Sequence, residues 1–376
     1  MKRNPFVLSP FIPDDFFCDR VTESKALIRS LSNQENVVLI SPRRVGKTGL
    51  IYHCFNQESI KDNYITISID ILHTTSFQEF IMELGSSVFK TVAKRSDRLM
   101  KLFTSYLRSL SGSFGYDPVA GTPTFDIKLG QIKMPEYTLD EILSYLENAD
   151  KPCIVAIDEF QQILKYQGTN MEALLRGRIQ KLQNTNFIFA GSERRIMNEM
   201  FFSEKRPFFQ SATLLQLEPI ELAVYTDFVS KHFQEAQKMI DKEAIEWAYQ
   251  CYDGITMYTH RLFHDAFVET DEGECCGVSE MKALSMMLIQ QNAKRLQELL
   301  AYITEQQKEL LYAIAADGQS ARVTSSAFVK RHHLKSASAV QSAVKKLLDY
   351  DLITEQNKIY SIVDPLLRIW LRSNLV

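Results

Sequence analysis

The sequence is best narrowed first by what it does not contain. Its six cysteines (Cys18, Cys54, Cys153, Cys251, Cys275, Cys276) form no CxxC pair, no metal-ligand spacing and no regular framework. That argues against a disulfide scaffold or zinc module and for reduced thiols. No apolar run approaches the roughly 20 residues a membrane helix needs. The early positive charges of MKRNPFVLSPFIPDD are followed by Pro5, Pro10, Pro13 and two acids, a pattern unlike a signal peptide. These absences predict a cytoplasmic chain with no membrane partner. Charge of one sign is also missing: 43 basic residues stand against 46 acidic ones, a net charge of -3. No whole-chain field draws the protein to nucleic acid or anionic lipid, so any such contact has to be local. There is no internal repeat and no low-complexity tract. The length of 376 residues and an apolar content of 45% allow roughly two or three domains with ordinary cores.

Between residues 37 and 217 short apolar runs rich in β-formers alternate with helical or loop segments: VVLIS, YITISID, CIVAID, FIFAGS and TLLQL. Such alternation predicts an α/β fold with a five-stranded parallel sheet, whose strands read as continuous apolar runs because both faces are covered. The interval between the second and third runs is long, and residues 112–136 gather four glycines and three prolines. They are expected to form a loop or a hairpin insertion, the hairpin turning near Ala120 and Gly121. From Pro219 the strand signal stops. Residues 221–234, 241–251, 257–270 and 279–303 read as helices, an all-α domain. Three short amphipathic helices and a hairpin with Gln356 and Asn357 at its turn then spell a winged helix-turn-helix. The expected domains are 1–219, 220–303 and 304–376.

The first run leads into SPRRVGKTGL, which fits G-x-x-x-x-G-K-[ST] except that Ser41 replaces the first glycine. Strand, loop and helix are the context that motif needs. Backbone N–H groups over Ser41, Pro42, Arg43, Arg44, Val45, Gly46, Lys47, Thr48 and Gly49 would surround phosphate oxygens, with proline contributing only its fixed φ. Lys47 would reach the β and γ phosphates of ATP, and the Thr48 hydroxyl would ligate Mg2+. CIVAIDEF ends an apolar strand in two adjacent carboxylates, costly to place there unless something needs their charge. Asp158 is expected in the Mg2+ shell. Glu159 is expected to orient and deprotonate the attacking water. A helix N-cap with an acidic first turn is the plain alternative. FIFAGSERR brings Ser192 beside the same place as a sensor of the γ phosphate, followed by Arg194 and Arg195, with Arg206 further on as a third candidate cation for the charge that develops on transfer; a surface salt bridge is the plain alternative for each of the three.

Taken together, NPF near the start, DRVTE at 19–23, SPRRVGKTGL, IDEFQQI, FAGSERRIM, DGITMY at 253–258 and DPLLRIWLR at 364–372 resemble the archaeal-type ATPase family of the STAND class. These are P-loop ATPases of the AAA+ kind with a C-terminal winged helix. The resemblance spans nearly the whole chain. It implies a slow, Mg-dependent ATPase acting as a switch, with the helical domain as a lid and a protein partner or self-assembly as its output. It also implies that residues near Phe17 and Arg20 enclose the adenine. The family's glycine-x-proline element in the lid is changed here, where Gly254 and Ile255 are followed by Thr256.

A second reading is a DNA-associated AAA+ ATPase resembling replication initiators or transcriptional regulators. Against it, residues 305–376 carry 10 Lys and Arg to 7 Asp and Glu, a small excess for a DNA-binding domain. On the third helix of that domain Val340, Val344, Leu347 and Leu348 are expected to face the core. Ser338, Ser342, Lys345, Lys346 and Asp349 would face outward, with no cluster of base-reading side chains. Lys330, Arg331, His332, His333 and Lys335 form a basic knot. A small-molecule kinase is disfavoured because Glu159 suits water activation.

Overall fold

A computed structural model of the chain describes residues 3–9, 11–117, 122–125 and 132–374. The chain divides into two compact units: Ser9–Glu218, and the first residues up to Leu8 together with the stretch from Pro219 onward.

The first unit runs α1 (Val21–Ser32), β1 (Val37–Ile40), α2 (Lys47–Asn56), α3 (Glu58–Lys61), β2 (Ile65–Asp70), α4 (Phe77–Arg95) and α5 (Asp97–Tyr106). It continues with β3 (Phe114–Asp117), β4 (Thr122–Phe125), α6 (Pro135–Glu147), β5 (Cys153–Asp158), α7 (Met171–Ile179), β6 (Thr185–Gly191), α8 (Arg194–Phe202) and β7 (Thr213–Gln216). The five expected strands form one sheet in the order β2-β5-β6-β1-β7, every pairing parallel. The apolar runs of β1, β5 and β6 are buried at every residue, as covered parallel strands require. At the edges the pattern changes. In β2 only Ile65, Ile67 and Ile69 are buried, and β7 is largely exposed.

Among the described residues, the long interval between β2 and β5 holds three α-helices, the 3-10 stretch Arg108–Ser113 and a hairpin. Ser76 caps α4, its Oγ accepting from Glu79 N at 3.3 Å, and Phe77, Phe80, Ile81, Leu84 and Val88 make its buried stripe at helical spacing. β3 and β4 pair antiparallel with Phe114 opposite Phe125. The turn expected at Ala120 and Gly121 lies outside the described residues. Residues 135–136, counted with the insertion from sequence, open α6, where Pro135 takes a first-turn position that needs no N–H donor.

The second unit contains α9 (Leu222–Glu235), β8 (Met239–Ile240), α10 (Lys242–Cys251), α11 (Thr256–Glu269), β9 (Cys275–Cys276) and α12 (Val278–Ala301). After these come α13 (Glu305–Asp317), β10 (Gln319–Ala321), α14 (Ser326–Arg331), α15 (Ala337–Asp349), β11 (Ile353–Gln356), β12 (Ile359–Ile362) and α16 (Pro365–Ser373). A small sheet in the order β10-β12-β11 makes the wing. Its hairpin turns on Asn357 and Lys358, both left-handed at φ 54 and 63, the two-residue loop that matches strand twist. Gln356 remains in the ladder opposite Ile359, so the turn falls one residue later than the sequence pattern places it. On α15 the buried residues are Val340, Ala343, Val344 and Leu347, with Leu348 only partly covered.

The N-terminus departs from the expected 1–219 domain, because Phe6 belongs to the second unit. It is fully buried, with ring centroids of Phe228, His260, Phe263 and Phe267 at 5.5–6.0 Å. Asn4 secures the segment by donating to His264 O at 3.0 Å and accepting from Phe6 N at 2.9 Å. The motif DPLLRIWLR forms α16. Asp364 caps it, accepting from Leu366 N at 2.9 Å and from the Tyr258 hydroxyl at 2.7 Å. Arg368 donates to both carboxylate oxygens of Asp253 at 2.6 and 3.0 Å. The DGITMY turn is thereby fixed to the winged helix within one unit.

Candidate active site

The loop of residues 41–46 joins β1 to α2. Gly46 sits at φ 104, and a Cβ built on it would meet nothing within 4 Å. Glycine is therefore required there by backbone conformation, not by space. Arg44 takes φ 69 without that freedom, a strained choice of the kind concentrated at binding loops. Ser41 is outside the left-handed residues, fully buried, and turns its hydroxyl inward to Pro42 O at 2.8 Å. Its backbone makes no demand that only glycine meets. Val45 and Leu50 are buried behind the loop.

Two carboxylates from the end of β5 meet this loop. Thr48 Oγ1 donates to Asp158 Oδ2 at 2.7 Å, and Lys47 Nζ lies 3.6 Å from Glu159 Oε1. The Lys47 and Glu159 side chains are 7% and 14% exposed, so solvent screens their attraction weakly. From the end of β6, Ser192 Oγ donates to Glu159 Oε2 at 2.7 Å and accepts from Arg43 Nε at 3.3 Å. Gln161 Nε2 donates to the same Glu159 oxygen at 2.5 Å.

The two acids differ electrostatically. Burial raises the Asp158 carboxyl above its usual range, and the opposing pull of Lys47 and of the Thr48 hydroxyl does not cancel it. At Glu159 burial also works against the charge. Lys47, the hydrogen bonds from Ser192 and Gln161, and the Arg43 charge together hold it below the ordinary carboxylate range.

The other candidates lie in different surroundings. Phe17 stacks on His53 at 3.9 Å with planes 3° apart, one ring face thus already covered. Arg20, in the left-handed region at φ 65, donates to Val45 O at 3.2 Å and to Glu23 at 2.8 Å. Its guanidinium braces the P-loop backbone. Arg194 pairs with Glu218 at 2.6 Å, both largely exposed. Arg206 pairs with Glu172 at 3.1 Å, and that carboxylate is 5% exposed. The structure therefore brings together the P-loop, Asp158, Glu159 and Ser192, and gives Arg194 and Arg206 carboxylate partners elsewhere. Gln161 is the participant that the sequence did not disclose. Its signal is a glutamine pair inside an otherwise apolar turn, FQQI.

Among the described residues no three His, Cys, Asp or Glu gather as a metal site, and no helix is long and apolar enough to cross a membrane. A strand, phosphate-binding loop and helix facing an acidic strand end define a P-loop ATPase core, here followed by a winged helix. The family described as an ATPase domain predominantly from Archaea matches residues 17–262, and one described as a probable winged helix domain matches residues 294–373. The chain belongs to that archaeal-type ATPase family. Among solved structures it is similar to a Walker-type ATPase of Pyrococcus abyssi, with TM-score 0.69 and 21% identity over 98% of this chain and 99% of that one. The ORC2 protein of Aeropyrum pernix, in its ADPNP-ADP complexes, gives TM-score 0.58 and 12% identity over 99% and 98%. The ORC1 protein of Aeropyrum pernix in complex with DNA gives 0.50 and 13% over 99% and 97%. At these identities the likeness is one of fold. No curated protein matches the sequence.

Proposed function

We propose that this protein is an ATP-operated switch of the STAND type, a slow Mg-dependent ATPase whose nucleotide state governs what its winged helix does. The observation that carries the reading is the double bridge between the P-loop and β5: Thr48 to Asp158 and Lys47 to Glu159. A buried lysine, a buried Asp158 and a partly buried Glu159 placed against a loop of backbone N–H groups suit a polyphosphate and its cation. Thr48 and Asp158 would hold Mg2+, which takes few protein ligands and fills its shell with phosphate and water. When bound, the ion supplies neutralisation of phosphate charge. Lys47 adds fixed positive charge, and Glu159, the acid kept ionised, accepts the proton of the attacking water. Ser192 stands where the end of β6 meets both.

Of the two distant arginines, Arg194 is the better candidate for the transferred phosphoryl group. Its exposed pair with Glu218 is worth about 0–1 kcal/mol and is easily exchanged for phosphate. Arg206 holds the buried Glu172 carboxylate, and breaking a buried pair costs about 3–5 kcal/mol. We assign it a structural role. Phe17 and Arg20 remain the proposed neighbours of the base. The six thiols are free, with Cys54 and Cys153 pushed up to about 12 by burial, which fits inert core residues in a reducing cytoplasm.

Lys47→Ala tests the reading. It should abolish Mg-ATP binding in calorimetry while the fold survives, and retained ATP affinity would remove the P-loop assignment. The DNA reading has one observation in its favour, the exposed Lys345 and Lys346 on α15. Against it, Lys346 approaches Asp349 at 3.7 Å, and Arg331 and His332 of the basic knot both pair with Asp317. We therefore favour a protein partner or self-assembly. If DNA is the ligand, wild type binds duplex with steep salt dependence, and Lys345→Glu with Lys346→Glu lowers the slope by roughly two units.

A further inference from the structure

Gln161 follows the acid pair by two residues and is 2% exposed. A buried amide costs free energy unless it is bonded, and an apolar residue would serve packing alone equally well. The next residue is accounted for differently, since Gln162 Nε2 donates to Thr74 O at 2.8 Å. Gln161 Nε2 instead joins Ser192 Oγ on a single oxygen of Glu159, Oε2. With two donors on one oxygen, the other, Oε1, is the one that faces Lys47.

The amide cannot be turned round, because its oxygen would then oppose a carboxylate oxygen, two acceptors together. As it stands, that amide oxygen has no hydrogen-bond partner and rests against Gly191. A Cβ on Gly191 would lie 2.6 Å from it and 2.5 Å from Met197 Sδ. The left-handed Glu159, at φ 56, starts the tight 3-10 turn Phe160–Lys165 and brings residue 161 back beside residue 159.

We propose that Gln161 is a positioning residue for Glu159: seated against Gly191, it joins Ser192 in holding one carboxylate oxygen, so that the other is presented toward the P-loop lysine. This rests on the hydrolytic role proposed above for Glu159. A base that loses its aim loses rate, whereas ATP binding through the P-loop is untouched.

The test is Mg-ATP turnover and ATP affinity, measured together in wild type, Gln161→Leu, Gln161→Glu and Gly191→Ala. Gln161→Leu should lower kcat about ten- to a hundredfold, the effect of one charge-assisted bond, with Kd for ATP within about twofold of wild type. Gln161→Glu keeps the size but replaces the donor by a like-charged acceptor, so kcat should fall at least as far. Gly191→Ala would put a Cβ 2.6 Å from the Gln161 amide oxygen and 2.5 Å from Cγ and Sδ of the buried Met197, so it should lower kcat per folded molecule by displacing the amide, along with some loss of thermal stability from crowding Met197. Unchanged kcat in these variants, or losses that follow ATP affinity or the amount of folded protein, would overturn the proposal. A wild type that binds Mg-ATP but never turns it over would defeat the hydrolytic reading itself, and this inference with it.

Discussion

Phe6→Ala should destabilise the unit at the far end of the chain and leave the ATPase unit alone. The phenylalanine is fully buried, edge-on to Phe228 at 86° and to Phe267 at 63°. Truncating such a residue costs about 3–5 kcal/mol. The penalty has a second route. Ordering each residue of a chain end costs roughly 1–2 kcal/mol, so a segment without its anchor should leave, and water should reach the pocket. Both tryptophans, Trp247 and Trp370, lie on α10 and α16, so intrinsic fluorescence reports this unit alone. With a urea slope of about 2 kcal/mol per molar, the fluorescence midpoint should drop by about 2 M. Hydrogen exchange should rise in α9 and α11 but not in α2. Deleting residues 1–8 should reproduce the effect. A midpoint that stays within about 0.5 M in both variants would refute the anchoring role of Phe6.

Two further outcomes follow from charges. Glu159→Gln removes the carboxylate that lies 3.6 Å from Lys47, so ATP should bind more tightly while turnover falls at least about a hundredfold; equal turnover would place the base elsewhere. Burial, then the neighbouring His264 and His232, lowers the His260 pKa to about 4. A depressed histidine gives stability that is complete above its unfolded value near 6.5 and is lost as pH falls toward 4. Tryptophan-monitored unfolding should therefore lose about 2 kcal/mol between pH 7 and pH 5, and His260→Gln should remove that part of the pH dependence.

The sheet was legible because its signals are local. VVLI, CIVAI and FIFA need no partner to be recognised as covered strands, and GKT after a strand fixes where phosphate would sit. The helices from residue 220 onward and the winged helix followed from helical spacing for the same reason. What depended on contacts distant in sequence was not legible. Phe6 lies in NPF, a motif that says nothing of where it packs, and only its packing on residues more than two hundred positions away assigns it to the second unit. Arg206 looks like any arginine near a nucleotide site until the buried Glu172 is found beside it. Gln161 was hidden by its neighbour, since nothing in FQQI distinguishes the glutamine bonded to Thr74 O from the one bonded to Glu159. The turn of the wing slipped by one residue because Gln356 and Asn357 are both acceptable in a turn, and the left-handed pair of Asn357 and Lys358 is decided by ladder register.

Strand order explains why Ser192 matters to both halves of the site. The P-loop leaves β1 and the acid pair leaves β5, and these strands are not neighbours, since β6 runs between them. Adjacent strands lie about 4.8 Å apart, so the two halves start roughly 10 Å from each other. Lys47 and Thr48 bridge that distance from the start of α2, and whatever ends β6 must lie in the gap. A large apolar side chain there would separate the halves, and an acid would stand beside Glu159. Glycine followed by serine avoids both: Gly191 leaves room for the Gln161 amide, and the Ser192 hydroxyl accepts from Arg43 of the loop while donating to Glu159. A hydroxyl can accept and donate at once, so one small residue links the phosphate loop to the carboxylate. Loss of it in Ser192→Ala should leave Arg43 and Glu159 without their shared partner, lowering turnover more than ATP affinity in the same paired assay.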